Sequence, residues 1–194
     1  FMNTSLESLD LTSTDMIDGS VIALVHGLRT NRTLKCLDLT DNCVASPSGR
    51  AAIERLLAYN VLRELILEKT QESVGVSIVA SGLSTNRSLK ILHLECTFVE
   101  NEGTETFRAL CESLRGNTTL RYLNVSNIDV TLDGACATEL KLDAMSLETL
   151  DFSYNSVASC GVAALAKGLQ GPSTLKELTF VQCQLDDAGL LILG

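Results

Sequence analysis

The chain has 194 residues, 45% of them apolar, and a mean hydropathy of +0.21, which is enough to bury a sizeable core and excludes a disordered segment. Fifteen basic against twenty-four acidic residues leave a net charge of −9, which disfavours nucleic acid or an anionic membrane as partner and favours a basic protein. Aromatics are 4%, tryptophan is absent and proline occurs twice, so neither a base-stacking platform nor a proline-rich linker is expected.

No stretch approaches the roughly twenty apolar residues of a membrane helix, and Phe1-Met2-Asn3-Thr4 has no signal-like character. Seven cysteines, an odd number without framework spacing, point to a reducing, intracellular and cytoplasmic setting. Five Asn-x-Ser/Thr sequons, at Asn3, Asn31, Asn86, Asn117 and Asn124, are the feature that points the other way.

In chain order, the pattern Leu-x-x-Leu-x-Leu, with Val or Phe last in three copies, begins at Leu6, Leu34, Leu62, Leu89, Leu120, Leu147 and Leu175. The steps are 28, 28, 27, 31, 27 and 28 residues, a period that marks a stack of repeats. Within each copy the fourth and sixth positions alternate as in a half-buried strand. A glycine follows thirteen to fifteen residues after each start, at Gly19, Gly49, Gly75, Gly103, Gly134, Gly161 and Gly189. Helical spacing comes next, in the pairs Leu24/Leu28, Ile53/Leu57, Val79/Leu83, Leu110/Leu114 and Leu165/Leu169. Each unit is therefore a strand, a turn and a helix. Neither element buries its apolar face alone, so the units stack with strands in a parallel sheet and helices behind it. Helices are wider than the roughly 4.8 Å strand spacing, so the stack bends with the sheet on the concave side.

The unit Asn-x-Thr/Ser-Leu-Lys/Arg, seen as Asn31-Arg32-Thr33-Leu34-Lys35, Asn86-Arg87-Ser88-Leu89-Lys90 and Asn117-Thr118-Thr119-Leu120-Arg121, resembles the ribonuclease-inhibitor class of leucine-rich repeats. The resemblance covers the whole chain and implies an α/β solenoid of about seven repeats forming one array over 1–194. It also implies Asn, Cys or Thr at the ninth motif position, where the side chain satisfies the turn. That position holds Thr14, Asn42, Thr70, Thr97, Ile128, Asn155 and Cys183, so repeat five departs and its turn is expected to be irregular. The recurrence of Asn31, Asn86 and Asn117 at one junction assigns these sequons to repeat chemistry and not to glycosylation. The chain starts five residues before its first leucine and stops within the seventh helix, without polar caps, as expected of a piece of a longer protein.

Catalytic chemistry has little support. No phosphate-binding glycine loop occurs, so no nucleotide or other cofactor is implied. No Cys-x-x-Cys occurs either, and His93 near Cys96 lacks the second ligand pair of a metal site. Cys96 reads as a small buried hydrophobe, His26 as a half-exposed helix residue and His93 as a solvent-facing strand residue. Motif positions three, five and seven point away from the core onto the concave surface. Seven of these twenty-one residues are carboxylates and none is Lys or Arg. Asp10, Asp38, Glu64, Glu68, Glu95 and Asp151 are expected to steer a basic protein, with the exposed pair Ile66 and Ile91 and, beside them, Tyr122 as anchors, and with His93 and Asn124 on the same face. The second motif position carries Lys35, Arg63, Lys90, Arg121 and Lys176, a basic row expected to pair with the acidic face. Repeat four is the longest, and its extra residues between Thr97 and Glu105 are expected to protrude at the turn, read first as tolerated loop drift and only second as a weaker contact surface.

The function expected is a non-enzymatic scaffold binding a basic protein on its concave sheet. Two alternatives follow from resemblance: the regulatory array of a larger signalling or immune-type receptor, and GTPase activation as in Ran GTPase-activating protein, for which no residue constellation is carried over.

Overall fold

A computed structural model of the chain describes residues 3–44, 46–70, 75–96, 103–142 and 145–185. Each repeat contributes one three-residue strand to the main sheet: β1 (Ser8–Asp10), β2 (Cys36–Asp38), β3 (Glu64–Ile66), β4 (Ile91–His93), β5 (Tyr122–Asn124), β7 (Thr149–Asp151) and β9 (Glu177–Thr179). All six pairings are parallel and in sequence order. The helices α1 (Asp18–Leu28), α2 (Pro47–Ala58), α3 (Gly75–Thr85), α4 (Gly103–Arg115), α5 (Gly134–Glu139) and α6 (Ser159–Leu169) pack each against the next on the other side. The architecture is the expected α/β solenoid.

The register is the repeat read sideways. Leu37, Leu65, Leu92, Leu123 and Leu150 align across neighbouring strands and are fully buried. Ile53, Leu57, Val79, Leu83, Leu110 and Leu114 close the core from the helices. Phe107 packs edge-on against Phe152 at 5.3 Å between ring centroids, and Phe152 against Phe180 at 6.2 Å. Leu9, Leu11, Leu175 and Leu178 are only partly buried, because the first and last strands have a neighbour on one side alone.

Two ladders of asparagine fasten the repeats. Where a helix returns to the sheet, the Oδ1 atoms of Asn31, Asn86 and Asn117 accept the amides two and three residues ahead at 2.8–3.0 Å. Their Nδ2 groups donate into the preceding repeat, Asn86 to the Leu57 carbonyl at 2.7 Å and Asn117 to that of Leu83 at 2.9 Å. Asn86 and Asn117 are buried, so these sequons serve the fold. At the ninth position, Asn42 Nδ2 donates to the carbonyls of Leu11 and Leu39, and Asn42 Oδ1 accepts the Met16 amide. Asn155 does the same one end further on, donating to Val125 and Phe152 and accepting from the amides of Ile128 and Val130. Thr70 and Cys183 make the smaller version, Thr70 donating to the Leu67 carbonyl of its own turn and Cys183 to the Phe152 carbonyl of the preceding repeat and the Val181 carbonyl of its own. Thr97 and the repeat-four residues 97–102 lie outside the described residues.

Immediately before each ninth position the backbone turns left-handed, with positive φ at Ser13, Asp41, Lys69, Cys96, Asn127, Tyr154 and Gln182. None of these is glycine, and each carries the steric cost of that conformation. In repeats one, two, three, six and seven the bend lets the ninth side chain, Thr14, Asn42, Thr70, Asn155 or Cys183, bond a carbonyl of its own turn.

Repeat five, expected to be irregular, is satisfied from outside: Ile128 is buried, and Asn155 of the next repeat bonds its amide. The chain beyond it forms an unanticipated second sheet, in which β6 (Thr131–Leu132) pairs in parallel with β8 (Ser156–Val157). The helix that follows, α5, is correspondingly short at six residues. At the start of α6, a side chain on Gly161 would collide with the Leu132 carbonyl, so glycine there allows the close approach of successive repeats.

Asn155→Ala strands the buried amides of Ile128 and Val130 and is expected to lower unfolding free energy by about 2–4 kcal/mol, read from urea denaturation followed by circular dichroism. Gly161→Ala forces the α6 start away from β6 and is expected to cost about 1–3 kcal/mol in the same assay.

Candidate partner-binding surface

The in-register strands sort the outward residues into rows. Asp10, Asp38, Ile66, His93, Asn124, Asp151 and Thr179 occupy successive strands at the fifth motif position. Cys36, Glu64, Ile91, Tyr122 and Thr149 form the neighbouring row at the third. His93 lies at the centre. Its Nδ1 is 3.4 Å from Glu68 Oε1, its Nε2 is 3.8 Å from Glu64 Oε1, and its ring lies 5.0 Å from that of Tyr122. Glu95 joins the cluster through Asn124, whose Nδ2 donates to Glu95 Oε2 at 3.4 Å.

Several residues do two jobs. Asp10, Asp38, Asn124 and Asp151 each accept the amide two residues ahead through Oδ1, at 2.8–2.9 Å, which pins the end of the strand in an Asx turn. For Asp10 the Thr12 hydroxyl and amide hold the carboxyl below the ordinary carboxylate range. One oxygen of each Asp is thus structural and the other faces outward. Glu64, Glu68 and Glu95 make no such backbone bond in the described structure and are the freer charges.

The packed row changes the chemistry of its members. Burial, then the charges of Glu95 and Asp38, push the Glu68 carboxyl upward, against the opposing influence of His93 and Lys69. Burial also raises the Tyr122 phenol, with Asp151, Glu177, Glu68 and Glu95 adding to it, and burial raises the Cys36 thiol. The face is an acidic, partly desolvated surface with an imidazole and a phenol at its centre.

Several expectations need correction. Ile66 and Ile91 are half-buried, not exposed, because long side chains stand beside them on strands about 4.8 Å away. Asn124 is only 6% exposed and is occupied by the turn. The larger exposed apolar groups among the described residues are elsewhere: Leu6, Ile17 and Ile22 in the first repeat, Tyr154 at a left-handed turn position and Val181 at the seventh position of the last strand. The repeat register marks Val181 as outward, but nothing in a single sequence marks the turn before the ninth position as a place where Tyr154 is exposed. The basic row also behaves differently from expectation: Arg121 and Lys176 both reach Glu148, at 3.5 and 2.5 Å, within the row itself. Cys96 is half-buried, with its Sγ accepting from Asn127 Nδ2, and His26 is exposed on α1. All seven cysteines are free thiols. Among the described residues no group of three His, Cys, Asp or Glu is placed to hold a metal ion, and no helix is long and apolar enough to cross a membrane.

Comparison with known proteins agrees with this architecture. The Leucine Rich repeat family model matches residues 3–25, 30–51 and 144–166. The chain is 31% identical over 188 residues to human NACHT, LRR and PYD domains-containing protein 5, covering 94% of the chain and 15% of that protein. It is 31% identical over 178 residues to mouse ribonuclease inhibitor, covering 89% of the chain and 38% of the relative. To the pig ribonuclease inhibitor it is 29% identical over 188 residues, covering 95% and 41%.

The raised Glu68 carboxyl binds its proton more tightly folded than unfolded, so its contribution favours the fold at low pH and is lost as the pH rises through the folded value. Glu68→Gln is therefore expected to raise the melting temperature at pH 7, by on the order of 1–2 °C. The gain should vanish near pH 4, where the unfolded carboxyl is itself largely protonated. Calorimetric melts of both proteins at the two pH values check this.

Proposed function

We propose a function from one premise: the chain belongs to the leucine-rich-repeat proteins of the ribonuclease-inhibitor-like class. It is a non-enzymatic binding scaffold that takes a basic protein along its concave sheet. The observation that carries this is the row structure: Asp10, Asp38, Glu64, Glu68, Glu95 and Asp151 share one face on which the register places no Lys or Arg. Such a field steers a partner of opposite sign into register. Tyr122, with Ile66 and Ile91 half-covered beside it, supplies the apolar contact that a steered partner then closes over. The name of the relatives, ribonuclease inhibitor, states a target for those proteins, and binding through the repeat surface is the property we extend to this chain. Seven free thiols support an intracellular site of action.

A second reading is favoured by the similarity to NACHT, LRR and PYD domains-containing proteins, of whose length the chain spans 15% in one case and 18% in another. In this reading the residues 1–194 are one repeat array within a longer protein and act by restraining or informing its other parts.

The test follows from the division of labour among the carboxylates. Reversing Asp38 or Asp151 would also remove an Asx turn, so the informative variant is Glu64→Lys/Glu68→Lys/Glu95→Lys, first shown to fold by circular dichroism. At physiological salt a protein with a basic patch is expected to be captured from lysate by the unaltered chain, and its affinity to fall at least about tenfold in the variant. Capture of the same proteins by both would remove the concave face as the site. Capture by neither would favour the array acting inside a longer protein.

A further inference from the structure

At the edge of the sheet where the chain enters each strand, a second row runs beside the acidic face. Its members are Glu7, Lys35, Arg63, Lys90, Arg121, Glu148 and Lys176, and each amide from Lys35 onward donates to the carbonyl of the row member before it, at 2.6–2.9 Å. Lys35, Arg63 and Lys90 therefore stand on adjacent strands about 4.8 Å apart. Like charges so placed repel one another. None of the three forms an ion pair with a described carboxylate, whereas Arg121 and Lys176 further along share Glu148.

Two more cations reach the same place from the helix-to-strand junctions. Arg32 Nη1 donates to the carbonyls of Arg29 and Asn31, at 3.2 and 2.8 Å. Arg87 Nη1 donates in the same way to Ser84 and Asn86, at 2.9 and 2.8 Å. These bonds orient each guanidinium without neutralising it, and its other N–H groups have no hydrogen-bond partner among the described residues. The five cations line one open cleft of about 370 Å³, and Ser88 on its wall carries a hydroxyl with no hydrogen-bond partner. An acidic protein thus gathers five positive charges in one cleft, partly preorganised and without an ion-pair partner among the described residues.

We propose that this cleft binds a compact polyanion, a small molecule carrying two or more phosphates. Guanidinium forks match phosphate oxygens in pairs, and a cleft of this volume suits a small ligand. The surroundings decide between that and an acidic polypeptide. The basic stretch is bounded in its own row by Glu7 and Glu148, and the concave carboxylates begin one residue further on at Glu64. An extended acidic chain crossing the cleft would meet these charges, while a compact anion is held inside them. The inference is independent of the concave-face reading, since it uses other residues and a ligand of opposite sign.

The test is calorimetric titration of the 194-residue chain with inorganic tripolyphosphate at low and near-physiological salt. Saturable binding at one site is expected, weaker at the higher salt. Arg63→Glu and Lys90→Glu should each weaken it at least about tenfold, with Arg63→Gln and Lys90→Gln as milder substitutes if the reversals fail to fold. Lys176→Glu, which alters the same row outside the cleft, should leave it unchanged. Absence of saturable binding at low salt, or equal affinity in the Arg63 and Lys90 variants, would overturn the site. A ten-residue glutamate peptide or inorganic sulfate binding as tightly as tripolyphosphate would overturn the choice of ligand.

Discussion

A strand of three residues between a turn and a helix leaves most of its neighbouring backbone groups without a partner inside its own repeat, and buried groups of that kind are costly. The asparagine amide resolves this because it donates and accepts at once. Asn86 and Asn117 close their own junction with Oδ1 and reach into the previous repeat with Nδ2. Asn42 and Asn155 repeat the device at the other end of the strand. Since each amide bridges two repeats, the spacing between repeats is set by hydrogen-bond length at both ends of the sheet. The leucines then fill a space whose dimensions are already determined.

The surface chemistry follows from that regularity. A parallel sheet with constant register carries each motif position into a straight row, so a preference for carboxylates at outward positions becomes a continuous acidic face. A preference for Lys or Arg at the second position becomes a basic edge beside it. Packing at strand spacing also has a local effect: Glu68 and Tyr122 are shielded by their row neighbours and surrounded by like charge, and both hold their protons more tightly as a result. The same crowding half-covers Ile66 and Ile91. Concave and edge surfaces are therefore two distinct electrostatic environments separated by a single residue step along each strand.

Much of this was legible in advance, because a period of 27 to 31 residues with leucine at its head specifies strand, turn, helix and stacking direction together. The repeat also assigned Asn31, Asn86 and Asn117 to the junctions. The left-handed turn residues were not legible, since Lys69 and Tyr154 have no intrinsic preference for that conformation and adopt it beside the bonds that Thr70 and Asn155 make. Neither was the small sheet of β6 and β8, where two short β-prone segments a repeat apart in the chain meet beyond the turns of repeats five and six.

The sequence by itself determined the repeat, the fold class, the core face and the sign of the inner surface, all of which depend on side-chain periodicity along one strand or helix. Tertiary structure alone decided which charges are paired, which apolar residues are covered and which polar groups are spent on the backbone. Lys176 finds Glu148 while Lys90 finds no described carboxylate, and Asn124 serves its own turn through Oδ1 while its Nδ2 reaches Glu95 of the preceding repeat. These outcomes depend on neighbours that lie a whole repeat away in the chain yet about 4.8 Å away in space, a distance that periodicity implies but whose occupants it cannot arrange.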